Sequence, residues 1–400
     1  MTKIWKNTDL NDGKVNTLDG WETSSASAFN VVIYTANEFA AYSDDYGTTF
    51  HAMDLAGLCK AWGETDQGDQ VVIYIPQITQ FAWVILTSAQ NLILALSSPR
   101  EIEESKGRGW TTWLVPAKQF DDGRSIFDQP VVAVGDNFLY ITCNLGPKAI
   151  ALRLSLAELY RRGPVNFTYF VATPGAFWMK PALSTGDTGY FAVLMATFTD
   201  VRVFSWPERS HTITWRDYKI SLIPTDDGVV EVPGGKWLGN QRGSLQVLGL
   251  TRTGTKLWVA WWANRKYAGQ TNTVFEQPHI EIAIVDIHSQ KVTGQRFIWN
   301  SEFAFAFPCL ATNANGDVGL SFCWGGPKVS PQFGVGMLTG SDQRLFSVTS
   351  GDTIGAGGDY ITIRMSFPDV YTFCAAGFNQ VRSDPVAINH PRYVLFGPNV

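Results

Sequence analysis

"DQPVVAVGDNFLYITCN", residues 128–144, holds the fold in miniature. A proline opens a short apolar strand, Gly135-Asp136 turns the chain, and a longer apolar strand returns. Proline has no N–H to give a ladder and is tolerated where a strand begins, and a Gly-Asp pair supplies the positive φ of a tight hairpin. The same grammar recurs in "MKPALSTGDTGYFAVLMA" (179–196), led by Pro181 and turned at Gly186-Asp187. It recurs in "AFPCLATNANGDVGLSFCW" (306–324), with Pro308 and Gly316-Asp317, and without the proline in "LQVLGLTRTGTKLWVAWWA" (245–263).

Successive copies start about 50 to 65 residues apart, and short strand-like runs punctuated by Gly, Asp, Asn and Pro fill the intervals. A unit of about 40–50 residues holding four antiparallel strands is the mark of a propeller blade. The template predicts an all-β chain folded as a single β-propeller over 1–400, with seven four-stranded blades, six being the alternative count. The blades fall at roughly 22–60, 68–118, 127–173, 177–223, 244–299, 303–350 and 358–397, with a Gly-rich insertion at 223–243. The last blade is short of a strand, so the N-terminal segment is expected to pair with it and close the ring, leaving no long open edge. Two short helices interrupt the pattern. In "RLSLAELYRRGP", Ser155 and Glu158 predict a capping box, and Gly163-Pro164 stops the helix. "DLAGLCKAW", 54–62, starts on Asp54 as N-cap.

The chain is 45% hydrophobic and 17% charged, with net charge −5 and 15 Trp, 13 Tyr and 25 Phe. Such a composition builds a large core, and it offers no basic excess to hold a phosphate backbone, so nucleic acid is not an expected partner. The start "MTKIWKNTDLNDGK" lacks the apolar core of a signal peptide, and the longest apolar run, "FAWVILTSAQNLILAL", is too broken for a bilayer span. Five cysteines, Cys59, Cys143, Cys309, Cys323 and Cys374, form no C-x-x-C and read as buried free thiols without a disulfide framework. His51, His211, His279, His288 and His390 show no ligand spacing, so neither a metal nor a cofactor is expected.

"YSDDYGTTF", 42–50, carries Ser43-x-Asp45-x-Gly47-x-Thr49-Phe50. Ser43 and Asp45 are placed to accept the turn's N–H groups, and Gly47 to take a positive φ. This pattern resembles the Asp box (BNR repeat) of bacterial-type sialidases and related propellers, with Phe in place of the usual Trp. Gly358-Asp359-Tyr360 and Thr372-Phe373 sit where the last blade of extracellular bacterial seven-bladed propellers has a Gly-Asp-Tyr strand and a Thr-Phe. The resemblance implies a sialidase-like propeller fold, a structural role for the 42–50 turn and a secreted or cell-surface setting. It does not imply sialidase activity. The early Arg-Ile-Pro motif is missing, its nearest echo being Tyr74-Ile75-Pro76, and the first arginine is Arg100.

Propellers bind ligands where loops cross the channel mouth. The polar residues near the strand starts are therefore the candidates for acid–base work: Asp128, Lys180, Glu302, Asp359 and Tyr360. Candidate ligand-stacking or ligand-binding residues are Trp178, Trp237, Arg242 and Trp262. These residues support a non-catalytic recognition propeller that binds a glycan or a protein at one face. The alternatives are a glycoside hydrolase or polysaccharide lyase at the channel mouth, and a structural or assembly module. Oligomeric state and compartment are left open by the sequence.

Overall fold

The computed structural model of the chain describes residues 2–11, 15, 21–120, 126–172, 176–195, 199–220, 228–238, 246–264, 275–339, 344–349, 360–383 and 386–398. They form seven four-stranded antiparallel sheets and one two-stranded hairpin. Each four-stranded sheet is a blade of a seven-bladed β-propeller. The inner strands of blades 1 to 7 are Ser24–Ala28, Asp66–Ile75, Phe127–Val134, Lys180–Pro181, Gly249–Thr253, Ala304–Thr312 and Thr362–Met365. Parallel bridges join Ala28 to Phe367 and Leu183 to Thr251, so these neighbouring inner strands run in the same direction. The channel consequently has a start end, where inner strands begin, and a turn end, where they hairpin into the second strand of each blade.

Both faces of a blade lie against neighbours, which is why the middle strands read as almost continuous apolar runs. In Lys256–Ala263 the period of two sends Trp258 and Trp262 into one inter-blade core and Trp261 into the other. Between blades 3 and 4 the Arg153 guanidinium lies 4.5 Å from the Phe138 ring centroid and 4.3 Å from that of Trp206. Its burial is tolerated because aromatic faces and the Pro207 and Ser210 carbonyls receive it.

The ring closes through the N-terminal strand Thr2–Asp9, which becomes the outermost strand of blade 7. Its register runs from Thr2 opposite Pro398 to Asp9 opposite Arg392. The 42–50 turn joins the third and fourth strands of blade 1, Phe39–Ser43 and His51–Ala52. Ser43 Oγ accepts the Gly47 N–H at 2.8 Å, and Asp45 Oδ1 accepts the Thr48 and Thr49 N–H groups at 2.9 Å each. Gly47 has φ +75°, and a Cβ there would collide with the Tyr393 ring. Phe50 is buried edge-on against Tyr393 and Tyr34.

Several local expectations need correction. Pro130 and Pro308 do not open their strands. They sit inside them at bulges, where the register shifts between Asp128 and Val131 and between Ala306 and Cys309. A bulge leaves one residue unpaired, which suits a residue with no N–H, and Gln129 and Phe307 take positive φ just before each proline. Helix α1 (Leu55–Lys60) is capped by Asp54, which accepts the Gly57 N–H. Helix α3 (Leu156–Arg161) starts at Ser155, but the capping box does not form: Ser155 makes no side-chain cap, and Glu158 accepts the Asn166 N–H at 2.9 Å instead. The box forms in α2 (Pro99–Ser105), between Ser98 and Glu101, whose carboxylate also receives Arg162. All five cysteines are buried free thiols. No helix among the described residues is long and apolar enough to cross a membrane.

Candidate functional site

At the start end three carboxyl groups from blades 1 to 3 come together. Glu22 precedes the inner strand of blade 1, Asp69 lies in that of blade 2 and Asp128 in that of blade 3. The Asp69 side chain is hydrogen-bonded to Glu22 and accepts the Gln129 N–H at 2.9 Å. Burial, followed by the Glu22 charge, pushes the Asp69 carboxyl well above the usual carboxylate range. Burial also raises Asp128, against a hydrogen bond from Asn144 that favours its charged form.

Beside them Trp178, Lys180 and Tyr360 line a small cleft with Gln129, Asn144 and Gln246. The Trp178 N–H donates to Asn144 Oδ1 at 3.1 Å, while its indole N–H is buried without an acceptor among the described residues. Lys180 is 8% exposed, and burial brings its pKa down to about 8, with the Arg364 charge adding to the fall. Tyr360 reaches the Gln70 carbonyl at 3.5 Å. Thus Asp128, Trp178, Lys180 and Tyr360 share one end of the channel.

Other candidates fall elsewhere. Glu302 is exposed and lines neither this cleft nor the larger cavity; its N–H binds Asn300 Oδ1. The binding roles expected of Trp237 and Trp262 are corrected by burial. Trp262 is 0% exposed inside the strand Lys256–Ala263, and Trp237, 2% exposed, is carried into the same core by the hairpin Val230–Val232 and Gly235–Trp237. Asp359 and Arg242 lie outside the described residues.

A second opening lies at the turn end, a cavity of about 300 Å³. Its walls are mostly apolar, from Ile73, Val134, Leu183, Met365 and Phe367, with Gln77, Ser184 and Thr312 as polar points and the exposed Asp136 carboxylate at the rim. Arg364 lines it as well, one residue N-terminal to Met365 and so farther from the turns. The guanidinium is almost fully buried. Its Nη1 donates to the Ile363 carbonyl at 2.9 Å, whereas Nε and Nη2 have no acceptor among the described residues. The 1–2 and 3–4 turns of a blade lie at the same end, so the Ser43–Phe50 turn shares the cavity's face. No group of three His, Cys, Asp or Glu among the described residues is arranged to hold a metal ion.

Sequence reasoning passed over Glu22, Asp69 and Arg364. A signal for Asp69 was present: Asp69-Gln70 and Asp128-Gln129 repeat one dipeptide at the same place in two successive blades.

No protein-family model matches the chain, and no curated protein matches it in sequence. Solved structures do match in fold. The Dos1 propeller aligns over 99% of this chain and 95% of its own, at 9% identity and TM-score 0.48. A mutant of Aleuria aurantia lectin in complex with α-methyl-L-fucoside covers 85% of this chain and 99% of its own, at 12% identity and TM-score 0.47. The Penicillium chrysogenum α-L-arabinanase, complexed with arabinobiose, covers 98% of each chain at 8% identity and TM-score 0.41. At these identities the likeness concerns the fold alone.

Proposed function

We propose that the chain is a non-catalytic recognition propeller of the Asp-box, sialidase-like group, and that it binds a segment of a protein partner in the turn-end cavity. The observation carrying this reading is the cavity itself. Concave, largely apolar walls with a few placed polar groups are what a binding pocket requires. Apolar walls favour a peptide side chain over a sugar, which needs many hydrogen-bond partners around its rim. The superfamily assignment is supported by the hydrogen-bonded Ser43–Asp45–Gly47 turn between third and fourth strands.

The test is a peptide array and a glycan array probed with the full chain and with Gln77→Trp. Gln77 lies exposed at the rim, so the larger ring blocks the opening without entering the core. Peptide binding that disappears in Gln77→Trp, at unchanged melting temperature, is the expected result. Peptide binding indifferent to the substitution, or binding of glycans only, overturns the reading.

A second reading has one observation of its own, the Glu22–Asp69 pair beside Asp128. A buried carboxyl whose proton affinity is raised, hydrogen-bonded to a second carboxyl, suits an acid–base enzyme acting on a carbohydrate. Turnover of a polysaccharide panel that Asp69→Asn abolishes, with the fold intact, would establish it in place of the first.

A further inference from the structure

The channel contains two buried cations that face one another, with no counter-charge among the described residues. Lys180 comes from blade 4 and Arg364 from blade 7, and the Cys309 thiol of blade 6 lies beside both. Each is at least nine-tenths buried, with 8% and 4% exposure. Among the described residues no carboxylate pairs with either. The groups around Lys180 are the Tyr360 ring, at 5.8 Å, and Arg364 itself, whose charge repels it. Among the described residues Arg364 Nε and Nη2 have no nitrogen or oxygen acceptor, and its side-chain neighbour there is the Cys309 thiol. A buried guanidinium with idle donors is costly, and proteins retain such a group where something negative arrives to meet it. Burial depresses both pKa values, the direction expected of cations that lack their partner.

We propose that the turn-end cavity captures the C-terminal residue of a peptide, its α-carboxylate held by Arg364 and its side chain packed on Ile73, Leu183 and Phe367. This rests on the reading of the cavity as a peptide site and adds the chemistry of what enters. The planar guanidinium offers parallel donors that match a carboxylate. Lys180, farther along the channel, adds positive potential behind it. A volume of about 300 Å³ suits one residue with its flanking amide, at the lower end of ligand pockets. An internal peptide segment could bring a carboxylate to Arg364 only on an Asp or Glu side chain, leaving that residue nothing apolar for the walls.

The experiment compares N-acetyl-L-leucine with its neutral isostere N-acetyl-L-leucinamide by titration calorimetry on the full chain, with inorganic phosphate and D-glucuronate alongside. The acid is expected to bind roughly tenfold tighter than the amide, the margin of a charge-assisted contact. Arg364→Gln should erase that margin while keeping the weaker binding of both. Lys180→Met should reduce the margin by less. If acid and amide bind equally to the unmodified protein, the carboxylate inference falls and the peptide cavity stands. If phosphate competes as strongly as the acid, the site serves a free oxyanion and the C-terminal assignment falls. If neither leucine derivative binds, or glucuronate alone does, the peptide reading falls with it. The comparison of the two probes on unmodified protein decides the matter even where a variant fails to fold.

Discussion

Lys180 reaches from the inner strand of blade 4 to blade 7, its Nζ 5.8 Å from the ring centroid of Tyr360. The contact spans from blade 4 to blade 7 and sets a charge in a place that water scarcely reaches. In the folded protein its pKa falls from 10.5 to about 8. Between those values the unfolded chain still holds a proton that the folded one has released, so stability owed to Lys180 rises with pH across that window. Below about pH 8 the folded state bears the full cost, about 3 kcal/mol for that difference. Lys180→Met should therefore be more stable than the parent at pH 7, with the gap closing toward pH 10. Urea midpoints of both proteins at the two pH values measure it. A variant less stable at pH 7 would show that the ammonium has a counter-charge in the channel.

Asp69 presents the opposite sign. Its folded pKa is raised, so from about pH 4 upward the unfolded chain gives up a proton that the folded one keeps, and stability falls as pH rises. Asp69→Asn removes the titration and retains an oxygen for the Gln129 N–H. The variant should match the parent near pH 4 and exceed it at pH 8, as read from denaturant midpoints. A parallel pH dependence in the two proteins would mean that Asp69 ionises as an ordinary carboxylate.

The difference between these residues and the blade pattern explains what could be read from the sequence. Propeller architecture is written locally: Gly135-Asp136, Gly186-Asp187 and Gly316-Asp317 each turn one hairpin, and each hairpin dictates its own register. The Ser43–Phe50 turn is equally local, every hydrogen bond within it spanning four residues or fewer. The channel is not local. Glu22 meets Asp69, and Lys180 meets Tyr360 and Arg364, only because seven sheets are bent into one ring, and no spacing along the chain announces those meetings. Trp237 and Trp262 misled for a related reason. A tryptophan in a Gly-rich insertion and one in a strand both look available until the neighbouring blade covers them.

The 42–50 turn yields a prediction for acid. Asp45 has its pKa lowered to about 2; partial burial opposes the fall, but N–H donation from Thr48 and Thr49 and hydroxyl donation from Ser43 and Thr49 outweigh it. A depressed carboxylate contributes stability above its unfolded pKa and loses it as pH falls toward about 2. Asp45→Ala should cost about 2–4 kcal/mol at pH 7, for several charge-assisted hydrogen bonds lost in one turn. The deficit should shrink near pH 2. Guanidinium midpoints at the two pH values test both statements, and a constant deficit would assign the cost to packing of the turn.

Residues 2–9 supply the outermost strand of blade 7 and so tie the N-terminus to the last blade. Without Thr2–Asp9, the long strand Val386–Pro398 becomes an edge of unpaired backbone groups, the kind of edge that recruits other chains. The loss includes the Asp9 carboxylate, which receives His390 Nδ1 at 2.8 Å and Arg392 Nη2 at 2.9 Å. At about 1 kcal/mol net for each hydrogen bond, losing a strand paired at seven positions should cost several kcal/mol and promote self-association. The direct check is a chain lacking residues 1–11, examined by light scattering and thermal melting with and without a synthetic peptide of those residues. The peptide should restore both the melting temperature and the monodisperse size. Truncation that leaves them unchanged would show that blade 7 holds with three strands, and that closure rests on inner-strand contacts such as the bridge between Ala28 and Phe367.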